Sequence, residues 1–227
     1  MTRIVARLPN ESEGYRKIRQ ELLEAEIALR EQTIVLAALR RELPLDTEVA
    51  DYVFERGPAD LDRDEPIEQV RLSDLFVGPG KPLIVYHFMY GQAQIMPCPM
   101  CAMWLDGFNG IVRHITQRAN LAVVAAAPIQ QLRAYARHRG WSNLPLLSSA
   151  SSTFKTDLQT QTAEGDQRPA ISVFSKADDG TVRHFYTGEP TLDEKTWGGL
   201  DQYCPVWNLF DLTPVGRGDW NPQLEYH

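Results

Sequence analysis

Cysteine is scarce: the 227-residue chain has three, too few for a fold stapled by disulfides. Long apolar runs are missing, so no segment is expected to span a bilayer. No Lys/Arg cluster interleaved with aromatics stands against the net charge of −7, which excludes a general nucleic-acid binder. Neither a glycine-rich dinucleotide fingerprint nor a P-loop occurs, so no nucleotide cofactor is expected. A second C-x-x-C or an H-x₃₋₅-H pair is also absent, which leaves a structural zinc site without its four ligands, and no metal is assigned. Residues 1–14 are polar and mixed in charge, without an apolar signal core, so the expected location is the cytoplasm.

Against these absences stands one dense stretch, residues 83–110. It opens with an apolar and aromatic run, Leu83-Ile84-Val85-Tyr86-His87-Phe88, that reads as a buried strand. Residues 102–112 carry apolar side chains at helical spacing. Between the two lies Cys98-Pro99-Met100-Cys101. Pro99 suits the first position of a helix, where its missing N–H is no loss. Cys98 then stands at the helix start, where free N–H groups and the helix dipole stabilise a thiolate and lower an ordinary thiol pKa of about 8.5. Cys98 is therefore expected to be the nucleophile, and Cys101, one turn on and facing inward, the resolving thiol. In a reducing compartment such a pair is catalytic before it is structural. Cys204 has no evident partner and reads as an ordinary buried thiol.

The chain divides, on this reading, into a helical arm (1–45), a main domain (46–212) and an irregular tail (213–227). Residues 12–42 are strongly helical, with Ser12 as N-cap and a heptad-like seam through Tyr15, Ile18, Leu22, Ala25, Leu29, Leu36 and Leu39. That seam fits a helix packed on its own domain or the arm of a homodimer. Residues 49–55 and 66–72 form a hairpin, and 72–76 a single helical turn. After the C-x-x-C helix come a fully apolar strand at 121–127, an amphipathic helix at 129–139 closed by Gly140, and a short extended piece at 144–147. A polar Ser/Thr-rich loop to residue 161 leads to strands at 170–174 and 181–186, joined by the turn Ala177-Asp178-Asp179-Gly180. A closing helix lies within residues 196–211, interrupted or started near Pro205.

Strand, C-x-x-C helix, strand, helix, antiparallel hairpin and last helix is an order that resembles the thioredoxin fold, an α/β class with a central mixed sheet flanked by helices. More closely, the chain resembles a bacterial thioredoxin-like family known as domain of unknown function 899. Asp51-Tyr52-Val53-Phe54, Leu72-Ser73-Asp74-Leu75-Phe76, Tyr86-His87-Phe88-Met89, Asp106-Gly107-Phe108, Arg168-Pro169 and residues 209–214 carry that resemblance. Members usually have a bulkier acidic, glycine-rich loop before Cys-Pro-x-Cys, whereas here residues 90–97 are polar without the acids. The resemblance implies fold and redox chemistry. It further implies that Pro169 is a cis-proline beside Cys98, and that His87 lies near the place of the buried acid that takes a proton from the second cysteine in thioredoxins. In peroxiredoxins an arginine occupies the place of Arg168 and stabilises the thiolate and the peroxide oxygen. Their Thr or Ser three residues before the reactive cysteine is missing here, where Ile95 stands.

The expected activity is thiol–disulfide exchange with protein or small-molecule disulfides and a thiol reductant, in a groove formed by Met96, Pro97, Pro99 and Met100 beside the catalytic Cys98 and Cys101. Pro169 shapes that groove, with Arg168 and His87 as electrostatic and proton-transfer partners. A two-cysteine peroxidase is the first alternative. The second is a non-enzymatic module, either structural or a Cu(I) carrier using Met89, Met96, Met100 and Met103 with His87. Trp104 and Phe108 read as core, and His114, His138 and His184 as surface.

Overall fold

The computed structural model describes residues 6–226, so Met1–Val5, part of the stretch read for an export signal, lie outside the described residues. The chain forms two compact units, Met1–Leu43 and Pro44–His227. The first is dominated by helix α1 (Glu13–Arg41), whose N-cap Ser12 accepts from the Tyr15 N–H at 3.0 Å. None of its residues is buried. Among the described residues no helix is long and apolar enough to cross a membrane.

In the second unit β1 (Thr47–Glu48), β2 (Val53–Arg56) and β3 (Glu68–Arg71) precede a 3₁₀ turn at Leu72–Leu75. Then come β4 (Leu83–Phe88), α2 (Pro99–Ile115), β5 (Asn120–Ala125), α3 (Ile129–Arg139) and β6 (Leu146–Ser148). The chain closes with α4 (Phe154–Asp157), β7 (Ala170–Lys176), β8 (Val182–Gly188), a 3₁₀ turn at Asp201–Tyr203 and α5 (Pro205–Phe210). Among the described residues the eight strands join one sheet in the order β1-β8-β7-β4-β5-β6-β2-β3. β4 pairs in parallel with β5 and antiparallel with β7, and β5 pairs in parallel with β6. A parallel β4-α2-β5 unit continued through α3, with an antiparallel β7-β8 hairpin on the other side of β4, is the thioredoxin-like arrangement.

The sheet divides two cores, because strand residues alternate between faces. Tyr86 and Phe88 join α2, α3 and Trp207 on one face, whereas Leu83 and Val85 join Phe54, Phe154 and Phe174 on the other. Gly140 ends α3 at φ 70°, the left-handed conformation that a helix stop of this kind requires.

Two expectations need correction here. The Arg168–Pro169 bond is trans, and the cis bond among the described residues joins Glu65 to Pro66. Trans is the lower-energy form for most X-Pro bonds, and Arg168 enters β7 with its N–H on the Thr160 carbonyl at 2.9 Å. The Ser/Thr-rich stretch before β7 is not only a polar loop. It folds into α4, whose Phe154 and Lys155 are fully buried. The stretch after α5 is irregular, as expected, and its residues 217–221 line a cavity.

Candidate active site

Cys98 is the N-cap of α2 and Pro99 its first residue. The Cys98 N–H bonds to the Met89 carbonyl at 3.1 Å, which ties the helix start to the end of β4. At that position the Cys98 sulfur accepts from the Cys101 thiol and from the N–H groups of Cys101 and Met100. These donors, led by the Cys101 thiol, hold its pKa at about 6 against an ordinary 9.0, although burial opposes them.

One turn inward, Cys101 is only 1% exposed. Its pKa is driven well up by the hydrogen bond it gives to Cys98, by burial and by the Cys98 charge, and is eased slightly by donors from the Tyr86 hydroxyl and the Met89 N–H. Negative charge is therefore favoured on Cys98 and disfavoured on Cys101. All three cysteines are free thiols. Cys204 is buried against the same core and caps α5.

Cys98 and Cys101 open into a cavity of about 1010 Å³, which Tyr86, Met89, Met100 and Trp104 also border. Its far wall is Trp207 with residues 217–221 of the irregular tail. Arg217 pins that tail by pairing with both Asp201 and Asp211, the latter at 2.7 Å, while stacking over Trp207 at 5.3 Å. Trp220 packs edge-on against Trp207 and Phe210, with centroids 5.6 and 5.0 Å away.

Of the expected site residues, Arg168 and Pro169 also line this cavity, Arg168 being exposed and without an ion pair among the described residues. His87 does not join them. It lies on the opposite sheet face, stacked on Phe154 at 5.4 Å, with Nε2 2.8 Å from Ser172 Oγ and Nδ1 2.9 Å from Thr160 Oγ1. Burial holds its pKa well below the ordinary histidine value, so it is a neutral core residue. Strand alternation separates it from the thiols that it neighbours in sequence.

The predicted groove also needs redrawing. Pro97 is buried and Met96 is half-exposed outside the cavity wall, while Met103 borders a second cavity, of about 420 Å³, with Cys204. The sulfurs and the imidazole proposed for Cu(I) thus do not converge.

Two functional candidates escaped the sequence reading. Tyr86 shares a strand face with Phe88, so its aim at the α2 side was legible from alternation alone. Lys155 was not legible. It sits in a polar loop sequence, yet it is 1% exposed and its Nζ donates to the Phe88 carbonyl at 2.9 Å.

The model of a family described as "Bacterial protein of unknown function (DUF899)" matches residues 6–226. No curated protein matches this chain. Solved structures similar to it include Xylella fastidiosa PrxQ, as a mutant, with 11% identity, a TM-score of 0.49 and coverage of 74% of this chain and 97% of that one. Another is the peroxidoxin BcpB of Mycobacterium tuberculosis, at 14% identity and a TM-score of 0.48, covering 75% and 99%. A third is the reduced 2-Cys peroxiredoxin of Plasmodium vivax, at 12% identity and a TM-score of 0.47, covering 70% and 91%.

Proposed function

This chain belongs to the bacterial family of unknown function DUF899, and from that premise we propose that it is a thiol–disulfide oxidoreductase working through Cys98 and Cys101. The observation that carries the reading is geometric: Cys98 caps α2 and lines the cavity, with Cys101 buried one helical turn behind it. The lowered pKa of Cys98 supports the same reading.

In the first step the Cys98 sulfur attacks one sulfur of a substrate disulfide. A Cys98–substrate disulfide forms, the substrate S–S bond breaks, and the departing thiolate takes up a proton. In the second step Cys101 attacks the Cys98 sulfur and expels the remaining substrate thiolate, which acquires the proton that Cys101 loses. Two electrons pass from the protein dithiol to the substrate, and an external thiol reductant restores the dithiol. The cavity walls, Trp104, Trp207 and Trp220 with Pro169, hold the substrate against Cys98.

The test is turnover of hydroxyethyl disulfide with dithiothreitol as reductant. Cys98→Ser should abolish it, and Cys101→Ser should arrest the protein as a mixed disulfide on Cys98. Turnover that survives Cys98→Ser would remove the proposal.

One observation favours a second reading. Arg168 stands on the wall of the Cys98 cavity with no carboxylate partner among the described residues, so it is free to stabilise the oxygen of a bound hydroperoxide. Cys98 would then displace water or an alcohol to become a sulfenic acid, and Cys101 would condense with it to the disulfide, releasing water. Peroxide consumption that requires both Cys98 and Arg168 would favour this reading over exchange.

A further inference from the structure

The peptide group between Phe88 and Met89 is shared by two buried side chains. Its N–H donates toward the Cys101 sulfur, and its carbonyl accepts from Lys155 Nζ at 2.9 Å. We propose that Lys155 is a positioning residue for Cys101: its ammonium polarises the Phe88–Met89 peptide, whose N–H points at the Cys101 sulfur, and so favours the Cys101 thiolate when that sulfur must attack. The inference rests on the exchange reading and adds a regulator to its second step.

The surroundings of Lys155 leave it few other roles. It is 1% exposed, and no carboxylate pairs with it among the described residues. Facing it are Cys101 from α2 and His87 from β4. His87 is neutral and occupied by Ser172 and Thr160, with His184 beyond it, itself bonded to Thr187 at 2.8 Å. Tyr86 lies next to Cys101. On α4 itself Asp157 is turned to the Tyr52 hydroxyl at 2.9 Å and the Thr153 hydroxyl at 2.7 Å. A buried cation with neither counter-ion nor solvent is expensive to keep, which is why such lysines are found where their charge is used.

Timing follows from the same contacts. In the resting dithiol Cys101 keeps its proton and points it at the Cys98 thiolate, so Cys101 is neutral and gains little from Lys155. Once Cys98 is captured in a mixed disulfide its charge is gone, and Lys155 becomes the dominant charge facing Cys101. Burial has already drawn the Lys155 pKa to about 7, and a Cys101 thiolate pulls it back up. Loss of the Cys101 proton and charging of Lys155 are thereby linked near neutral pH. The proton finally leaves on the substrate thiol, so the step balances without another donor.

Dithiobis(nitrobenzoate) separates the two steps, because each expels one coloured thiolate. The first burst reports Cys98, and the second, absent from Cys101→Ser, reports Cys101. Lys155→Met removes both charge and donor, whereas Lys155→Gln keeps a donor without charge. Both should slow the second burst about tenfold at pH 7 and raise its pH inflection by about one unit, while the first burst changes less than about twofold. A second burst of unchanged rate and inflection in both variants overturns the proposal, as does loss of both bursts together. If the wild-type protein forms no mixed disulfide on Cys98, the exchange reading itself fails.

Discussion

The reactivity of Cys98 can be worked out before it is measured. With a pKa of about 6 instead of 9.0, the thiol is about nine-tenths thiolate at pH 7, against about one-hundredth for the unperturbed group. That is about ninety times more nucleophile. A thiolate of lower basicity is also a poorer nucleophile, and with a Brønsted slope of about 0.4–0.5 the three-unit drop forfeits a factor of about 16–32. The net expectation is alkylation at pH 7 about three- to sixfold faster than for an ordinary thiol, with a rate that rises through pH 6 and is flat by about pH 7.5. Iodoacetamide labelling across pH, with the adduct located by mass spectrometry, measures both the inflection and the plateau. Because the Cys101 thiol is the largest cause of the shift, Cys101→Ala should raise the inflection by about one unit or more. An inflection near that of free cysteine, or one that ignores Cys101→Ala, would refute the reasoning.

Other outcomes follow from the buried groups. Lys155 falls from an ordinary 10.5 to about 7 in the folded protein. Between those values the unfolded chain holds a proton that the native state lacks, so stability rises with pH through that window and the full penalty applies below it. Lys155→Met should therefore stabilise the fold by about 2–5 kcal/mol at pH 7, with the gain shrinking towards pH 10, as urea unfolding at the two pH values would measure. A less stable Lys155→Met at pH 7 would contradict this. His87→Ala should cost about 2–4 kcal/mol by opening a cavity and stranding the Ser172 and Thr160 hydroxyls, without moving the Cys98 inflection. A moved inflection would return His87 to the thiol chemistry. On α1, Leu29 and Leu36 are 70% and 41% exposed along the seam. If that seam pairs two copies, the full-length protein sediments as a dimer and Leu29→Glu with Leu36→Glu makes it a monomer, whereas a wild-type monomer refutes the arm.

The parts legible in the sequence were those set by local chemistry. Pro99 and the apolar spacing after it located the start of α2, and Gly140 the end of α3. The apolar run of β5 announced a strand covered on both faces. What failed were judgements that depend on which side of the sheet a residue faces, or on what a distant segment covers. His87 was placed with the thiols by its resemblance in position to the buried acid of thioredoxins, although strand alternation turns it to Phe154, Ser172 and Thr160. Lys155 stands among Ser and Thr residues that read as solvated, and only the docking of α4 beneath the end of β4 reveals it as buried. Residues 217–221 carry no periodic signal, yet Arg217 and Trp220 make them a wall of the cavity.

Whether Cys98 and Cys101 act as one dithiol is read by equilibrating the purified protein in glutathione buffers of graded potential, with thiol trapping and mass spectrometry to locate each modified cysteine. Cys98 and Cys101 should convert together, as one two-electron couple, at a potential within about −120 to −270 mV, while Cys204 stays reduced. If Cys98 and Cys101 never pair at any potential, or oxidise independently of one another, the dithiol mechanism is contradicted.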